Sequence, residues 1–576
     1  MLDHRILGAT IVDGTGAPPF VGDIGIRDGR IVTVAPADTL SETAHSTVDA
    51  AGLVVCPGFV DVHTHYDAQL FWDPFATPSN VHGVTSVIGG NCSFGLAPLH
   101  ERDADYTRRM LAKVEGMPLG ALEQGVPWNW QSFAEYLGAL DGSIAVNAGF
   151  MLGHSALRRY VLGAEANRRA ATADELVQLR AVLADALRDG ALGLSTDVSH
   201  VHSDGNGDPV PARGAHADEV LALCEETGRW PGTCLEGIFD GASDGFNADE
   251  LELLPAMSAR SNRVLNWNLL VVDARDPGRV DRHLAVSRLA RERGGRVVAL
   301  TMPVIVPMNM SFRNYCALNL MPGWGPILNA PLSERIERLR DIPTRRMMES
   351  RADSDEAGMF RRLADFGGYI IGDTFAAANE ALQGRVVRDI AAERGTDPFD
   401  TLIDIVIADD LRTVLWPSAP DDDDAHWNMR RALWEEPDVF LGGSDAGAHL
   451  DRMCGSAYPT QFLADTLRGR KMVSLEWAVN ALTDRPARLL GLRDRGRVAE
   501  GWIADLVVFD PTTVGAQPAT LAHDLPSGAV RMTVASTGVV CVFVNGVATV
   551  ADGEATGALP GTVLRSGRDT ETVTAR

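Results

Sequence analysis

The run Gly58–Asp67 reads GFVDVHTHYD and ends an apolar segment that begins at Gly52. It carries two histidines two positions apart. Alternate residues of a strand face one side, so His63 and His65 point into the same space. Asp61 shares that face and is placed to orient them. Imidazoles suit zinc and similar borderline metals. Two core histidines satisfied by backbone partners would give the same letters. The PGFVD run in front of them favours a metal site at a strand end.

Reading outward from this run, apolar segments alternate with helical patterns. VTSVIGG (84–90), IAVNAGFMLG (144–153), GALGLST (190–196), RVLNWNLL (263–270), RVVALTMP (296–303) and DVFLGGSDA (438–446) read as buried strands closed by Gly, Pro or Asp turns. Residues 173–189 and 218–227 have helical spacing. This alternation predicts an α/β fold, either a (β/α)8 TIM barrel or a doubly wound sheet. The chemically rich residues sit where strands end, which favours the barrel, over 58–490. Both ends of the chain are strand-rich, with turn signals at Asp28-Gly29 and Asn545-Gly546. A single small β-sandwich assembled from 1–57 and 491–576 accounts for them; two independent β modules would show the same texture.

The bulk properties narrow the class. The 576 residues suit one large catalytic domain with something smaller beside it. A net charge of -25 repels nucleic acid and anionic lipid, so neither is expected as a partner. Seven cysteines are an odd and sparse set, which argues against a disulfide framework. There is no bilayer-length apolar run and no signal-peptide pattern, which predicts a cytoplasmic protein without a membrane partner.

Here the residues resemble a known family. PGFVDVHTHYD is similar to the opening metal motif of the amidohydrolase superfamily. GVTSVIGGNCSFGLAPL (83–99), GHSALR (153–158), GALGLST (190–196), GGSDAGAH (442–449) and LTDRPARLLGLRDRGRVAEGWIADLVVFDP (482–511) resemble its N-acyl-D-amino-acid deacylase (D-aminoacylase) branch. The resemblance implies a metal-dependent (β/α)8 barrel with a β-sandwich made from both termini. It also implies that His63 and His65 are metal ligands, that Cys92 in GGNCSFG is a thiolate ligand, and that Asp445 in GGSDAG is both ligand and general base. Cys92 as a small buried residue and Asp445 as a turn residue are the plain alternatives.

Two expected histidines are missing. The fifth-strand motif of the branch, Thr-His, stands here as Thr233-Cys234, and the sixth, Ser-His-x-Lys, as Trp267-Asn268-Leu269-Leu270. Cys234 is a candidate replacement ligand and Asn268 a poor one. Leu270 occupies the place of a lysine expected to meet a substrate carboxylate. Arg158 or Arg531 would be the replacement cation. His154, His200, His202, Asn268 and His449 are further candidates for contact with substrate, His200 and His202 also for compensating metal ligands, and Trp267, Trp324 and Trp416 for an apolar acyl pocket.

The expected protein is thus a metal-dependent hydrolase of carbon–nitrogen bonds other than peptide bonds, with one or two zinc ions and a small-molecule amide substrate, and compatible with a homo-oligomer. N-acyl-D-amino-acid deacylation is the leading reading. A cyclic amide or carbamate hydrolase acting on a neutral substrate, and a catalytically silent small-ligand binder, are the alternatives.

Overall fold

The computed structural model describes residues 1–314, 316–419 and 421–575. Eight strands follow one another around a ring: β1 (Phe59–Asp61), β2 (Val84–Gly89), β3 (Asn147–Phe150, continued by Leu152–Gly153), β4 (Gly193–Asp197), β5 (Cys234–Ile238), β6 (Val264–Trp267), β7 (Arg296–Thr301) and β8 (Val439–Leu441). All neighbours pair in parallel. The third strand pairs with β2 through its first half and with β4 through its second.

Closure occurs beyond the ends of β1 and β8, where Thr64 bridges Ala446. The His65 amide donates to the Ala446 carbonyl at 2.7 Å, and the Asp445 amide to the His63 carbonyl at 3.3 Å. The hydrogen bonds that close the barrel are therefore the ones that set His63 and His65 beside Asp445. Inside the ring, Val62, Met151, Leu192, Cys234, Val264 and Leu300 are buried in one cluster, a packed core rather than a pore.

Helices on the outside begin and end where their caps dictate. The helix expected over 173–189 forms over Ala173–Asp189. Thr172 and Glu175 make a reciprocal capping box at its start, and Gly190 ends it at φ 115°.

Both chain ends build one nine-stranded sheet, in which Val54–Pro57 pairs with Leu506–Phe509. The Asp28-Gly29 and Asn545-Gly546 turns have positive φ at both positions, as two-residue hairpins require. Ile6, Ile24, Ile26, Val55, Val508 and Phe543 from the two ends share one core. The C-terminal tail then leaves this sheet: Val563–Leu564 pairs in parallel with β3.

Residues 307–427, which lie between β7 and β8 in the chain, form a compact unit of their own, which the expectation of one barrel over 58–490 does not set apart. Its helices include Ile342–Ala352 and Pro398–Ala408. Trp324 is part of this unit's own core, stacked on Phe366 at 5.7 Å with its Nε1 donating to the Met348 carbonyl at 2.8 Å. That position replaces the acyl-pocket role expected for it.

Candidate metal centre

The carboxyl ends of β1, β2 and β8 bring four donors together. Cys92 Sγ lies 3.3 Å from His63 Nε2 and 3.6 Å from His65 Nε2. Asp445 Oδ1 lies 3.1 Å from His65 Nε2 and 3.6 Å from His63 Nε2. With bonds of about 2.0–2.3 Å, neighbouring N, O and S donors on a tetrahedral zinc stand about 3.5 Å apart. The measured separations match that spacing. Two triads have atoms close enough to share an ion: His63, His65 and Cys92, and His65, Glu115 and Asp445.

The electrostatics point the same way. Burial opposes a charge on His65, but Glu115, Asp445 and Asp67 outweigh it and raise its pKa to about 10. Burial would also push Asp445 up, yet the imidazoles of His63 and His65 hold its carboxyl well below the usual range. The Cys92 thiol is driven far up by burial and by Glu236, Glu115 and Asp445. Such a thiol becomes a ligand only where a cation offsets that negative field. Two imidazoles, a thiol and surplus carboxylates thus fit a divalent metal, zinc above all.

The centre is held in strained backbone. Cys92 (φ 54°), Ser93 (φ 68°), Asp445 (φ 59°) and His449 (φ 50°) all occupy the left-handed region, at a cost of about 1–2 kcal/mol each. Specific contacts hold them: the Cys92 amide donates to Glu236 Oε2 at 3.0 Å and the Ser93 amide to Ser195 Oγ at 3.1 Å. Gly447 (φ 94°) lets the chain pass over the backbone of His65, where a Cβ would lie 2.6 Å from its carbonyl.

His63, His65 and Cys92 are almost wholly buried, whereas Asp445 keeps 26% of its side chain exposed and His449 30%. Access is from that side. His449 Nε2 stands 3.5 Å from Asp445 Oδ2. The Arg452 guanidinium lies against Gly116, beside Glu115, and helps to lower the pKa of His449, which burial depresses first. His202 Nδ1 pairs with Asp197 Oδ2 at 2.6 Å at the end of β4, and its ring meets Phe94 edge-on at 5.6 Å. Burial works against its charge, but Asp197 prevails and raises its pKa.

Several expected residues lie elsewhere. Cys234 begins β5, two residues too deep: its Sγ rests 3.8 Å from Met151 Sδ in the barrel core. The residue of β5 that reaches the centre is Glu236, one inward-facing step further on. On β6 its register partner is Asn266, whose Nδ2 donates to the Leu235 carbonyl at 3.1 Å. Asn268 lies beyond the end of that strand, and its Oδ1 is buried with no hydrogen-bond partner among the described residues. His154 and Arg158 are completely buried and both engage Glu219, so neither is available to substrate. Arg531 is spent on Asp524 and Asp73. His200 is 75% exposed and pairs with Asp240. Trp267 packs against Phe246 and His283. Asp61 accepts from the His63 backbone amide at 3.4 Å, so it orients the chain rather than the rings.

A parallel eight-stranded barrel with imidazole, thiol and carboxylate donors converging at its carboxyl end defines a hydrolase of the metal-dependent barrel class. Residues 46–550 match the sequence profile described as "Amidohydrolase family". The chain belongs to the amidohydrolase family: it is an enzyme that uses a bound metal to hydrolyse carbon–nitrogen bonds other than peptide bonds. It is 29% identical over 571 residues to a D-aminoacylase of Alcaligenes xylosoxydans xylosoxydans, covering 98% of this chain and 97% of that protein. A D-aminoacylase structure described as having a binuclear metal centre superposes with a TM-score of 0.65 at 27% identity, over 98% of this chain and 100% of that one. An N-acyl-D-glutamate deacylase from Bordetella bronchiseptica, solved with zinc and a phosphonate mimic of the tetrahedral intermediate, gives 0.65 at 26% identity with the same coverage. No helix among the described residues is long and apolar enough to cross a membrane.

Proposed function

We propose that this chain removes the acyl group from N-acyl-D-amino acids, with zinc held by His63, His65, Cys92 and Asp445. The observation that carries the reading is the position of Asp445, in reach of both imidazoles and still open to solvent on one edge. Zinc, when bound, supplies Lewis acidity to the amide carbonyl and to the attacking water. Asp445 then takes a proton from that water and returns it to the leaving nitrogen. His449, beside Asp445 and half-exposed, steadies the carboxylate as its charge changes.

Specificity follows from the cation at the mouth. Arg158 and Arg531 are held by carboxylates elsewhere; Arg452, whose Nε pairs with the adjacent Asp451 at 3.1 Å, is the guanidinium placed near Glu115 and His449. A planar guanidinium suits a substrate carboxylate. This favours an acylated amino acid over a neutral cyclic amide. Relative rates on N-acetyl-D-amino acids, their L-enantiomers and a neutral lactam test the reading. Preference for the D-acyl acids supports it, and faster turnover of the lactam overturns it.

A further inference from the structure

Glu236 is a fully buried carboxylate with no assigned task, and it faces two of the proposed donors at once. Oε2 accepts the Cys92 amide at 3.0 Å. Oε1 points at His63 Nδ1, 3.7 Å away, and neither atom has a hydrogen-bond partner among the described residues. Two unpartnered buried atoms facing each other across the barrel are a contact ready to close.

We propose that Glu236 is the positioning residue of the metal centre; the inference rests on the zinc reading above. Its two oxygens divide the work. One holds Cys92 in its left-handed conformation, which sets Sγ 3.3 Å from His63 Nε2. The other faces His63 Nδ1 and would accept its N–H once the 3.7 Å gap closes. A proton fixed on Nδ1 leaves the Nε2 lone pair free to bind a cation. Glutamine cannot serve both partners, because only one of its two terminal atoms accepts. If that oxygen stays with the Cys92 amide, its NH2 group faces Nδ1 and favours the tautomer with the proton on Nε2.

Placement across the ring explains why one residue can do this. Cys92 follows β2 and His63 follows β1, while Glu236 comes from the far side on β5. Cys234, two positions earlier, faces the same interior but lies one layer below.

The test uses the full-length protein, stripped and reloaded. Zinc affinity is measured by competition with a chelator, and cobalt(II) replaces zinc to report the thiolate-to-metal absorption band. E236Q is expected to fold, to bind zinc about 10–100-fold more weakly and to show an altered cobalt band, with E236A worse. Cys234→Ser is expected to leave both readouts unchanged. An E236Q protein with wild-type affinity and an unaltered band would overturn the inference alone. A wild-type protein that takes up no zinc would instead remove the reading beneath it.

Discussion

Asp445 Oδ1 lies 3.1 Å from His65 Nε2, although 380 residues separate them in the chain. The contact is produced by barrel closure, since the backbone bonds around Thr64 and Ala446 fix both residues. A proton carrier and a metal donor are thereby locked in register without a flexible loop between them.

Replacing Asp445 with Asn should therefore remove turnover and spare the fold. Asn tolerates a φ of 59° as readily as Asp does, so the backbone is not strained further. We expect kcat to fall about 10²–10⁴-fold while the protein still folds and melts cooperatively, at a temperature lowered by the lost His65 contact and weaker zinc binding. Steady-state kinetics beside a thermal melt checks this, and near-normal kcat would take Asp445 out of the mechanism.

Cys92→Ser keeps the shape of the side chain but removes the soft donor. The thiol costs little to lose in the metal-free protein, because without a cation it is neutral and simply buried. Zinc retained after dialysis against a weak chelator should drop sharply, while the metal-free protein melts close to the wild type. Full retention of zinc would show that sulfur is not a ligand.

Cys234→His should not create a second metal site. Its side chain would enter the packed barrel interior beside Met151, where added volume costs about 1–3 kcal/mol. The expected outcome is a lower melting temperature with no gain in metal content. A second bound zinc would contradict the placement of Cys234.

How far the sequence reveals this site depends on what each residue must do locally. Cys92 and Asp445 stand at strand ends inside Gly-rich turns, and His63 and His65 form a His-x-His pair just after PGFVD, so their spacing and neighbours expose them. Glu115 follows the helix Ala104–Val114 and carries no pattern of its own. Arg452 sits in an irregular stretch after β8. Glu236 is hidden for another reason: two residues of strand separate the core layer from the chemical layer, and a register placed on Cys234 misses it by one step. His154 and Arg158 mislead because a buried ion-pair network and a binding site use the same residue types; only Glu219, 61 residues beyond Arg158, tells them apart. The unit at 307–427 is missed because its helices and short strands look like further βα units.

Arg452→Ala should separate binding from chemistry. For an N-acyl amino acid, KM should rise about 10–100-fold, since a hydrogen bond to a charged group is lost. The corresponding amide, which lacks the carboxylate, should be affected little. Equal losses on both substrates would mean that Arg452 supports the scaffold instead.

Acid should weaken the fold through His82. Burial lowers its pKa to about 4; its Nδ1 is 2.6 Å from the Thr460 hydroxyl and its Nε2 2.9 Å from the Val534 carbonyl. The unfolded chain binds a proton below pH 6.5 that the folded chain refuses until about pH 4, so stability is lost as pH falls through that window. Between pH 7 and 5 the loss is about 2 kcal/mol. A His82→Asn variant, less stable at pH 7, should lose correspondingly less over this range in denaturant titrations. An identical pH slope in both proteins would exclude His82 as the source.

The most direct measurement is X-ray absorption at the zinc edge of the reconstituted protein. A shell with one sulfur at about 2.3 Å and imidazole nitrogens at about 2.0–2.1 Å, with the sulfur lost in Cys92→Ser, is the result expected here. A zinc surrounded only by oxygen, or a fully active protein that holds no metal, would contradict it.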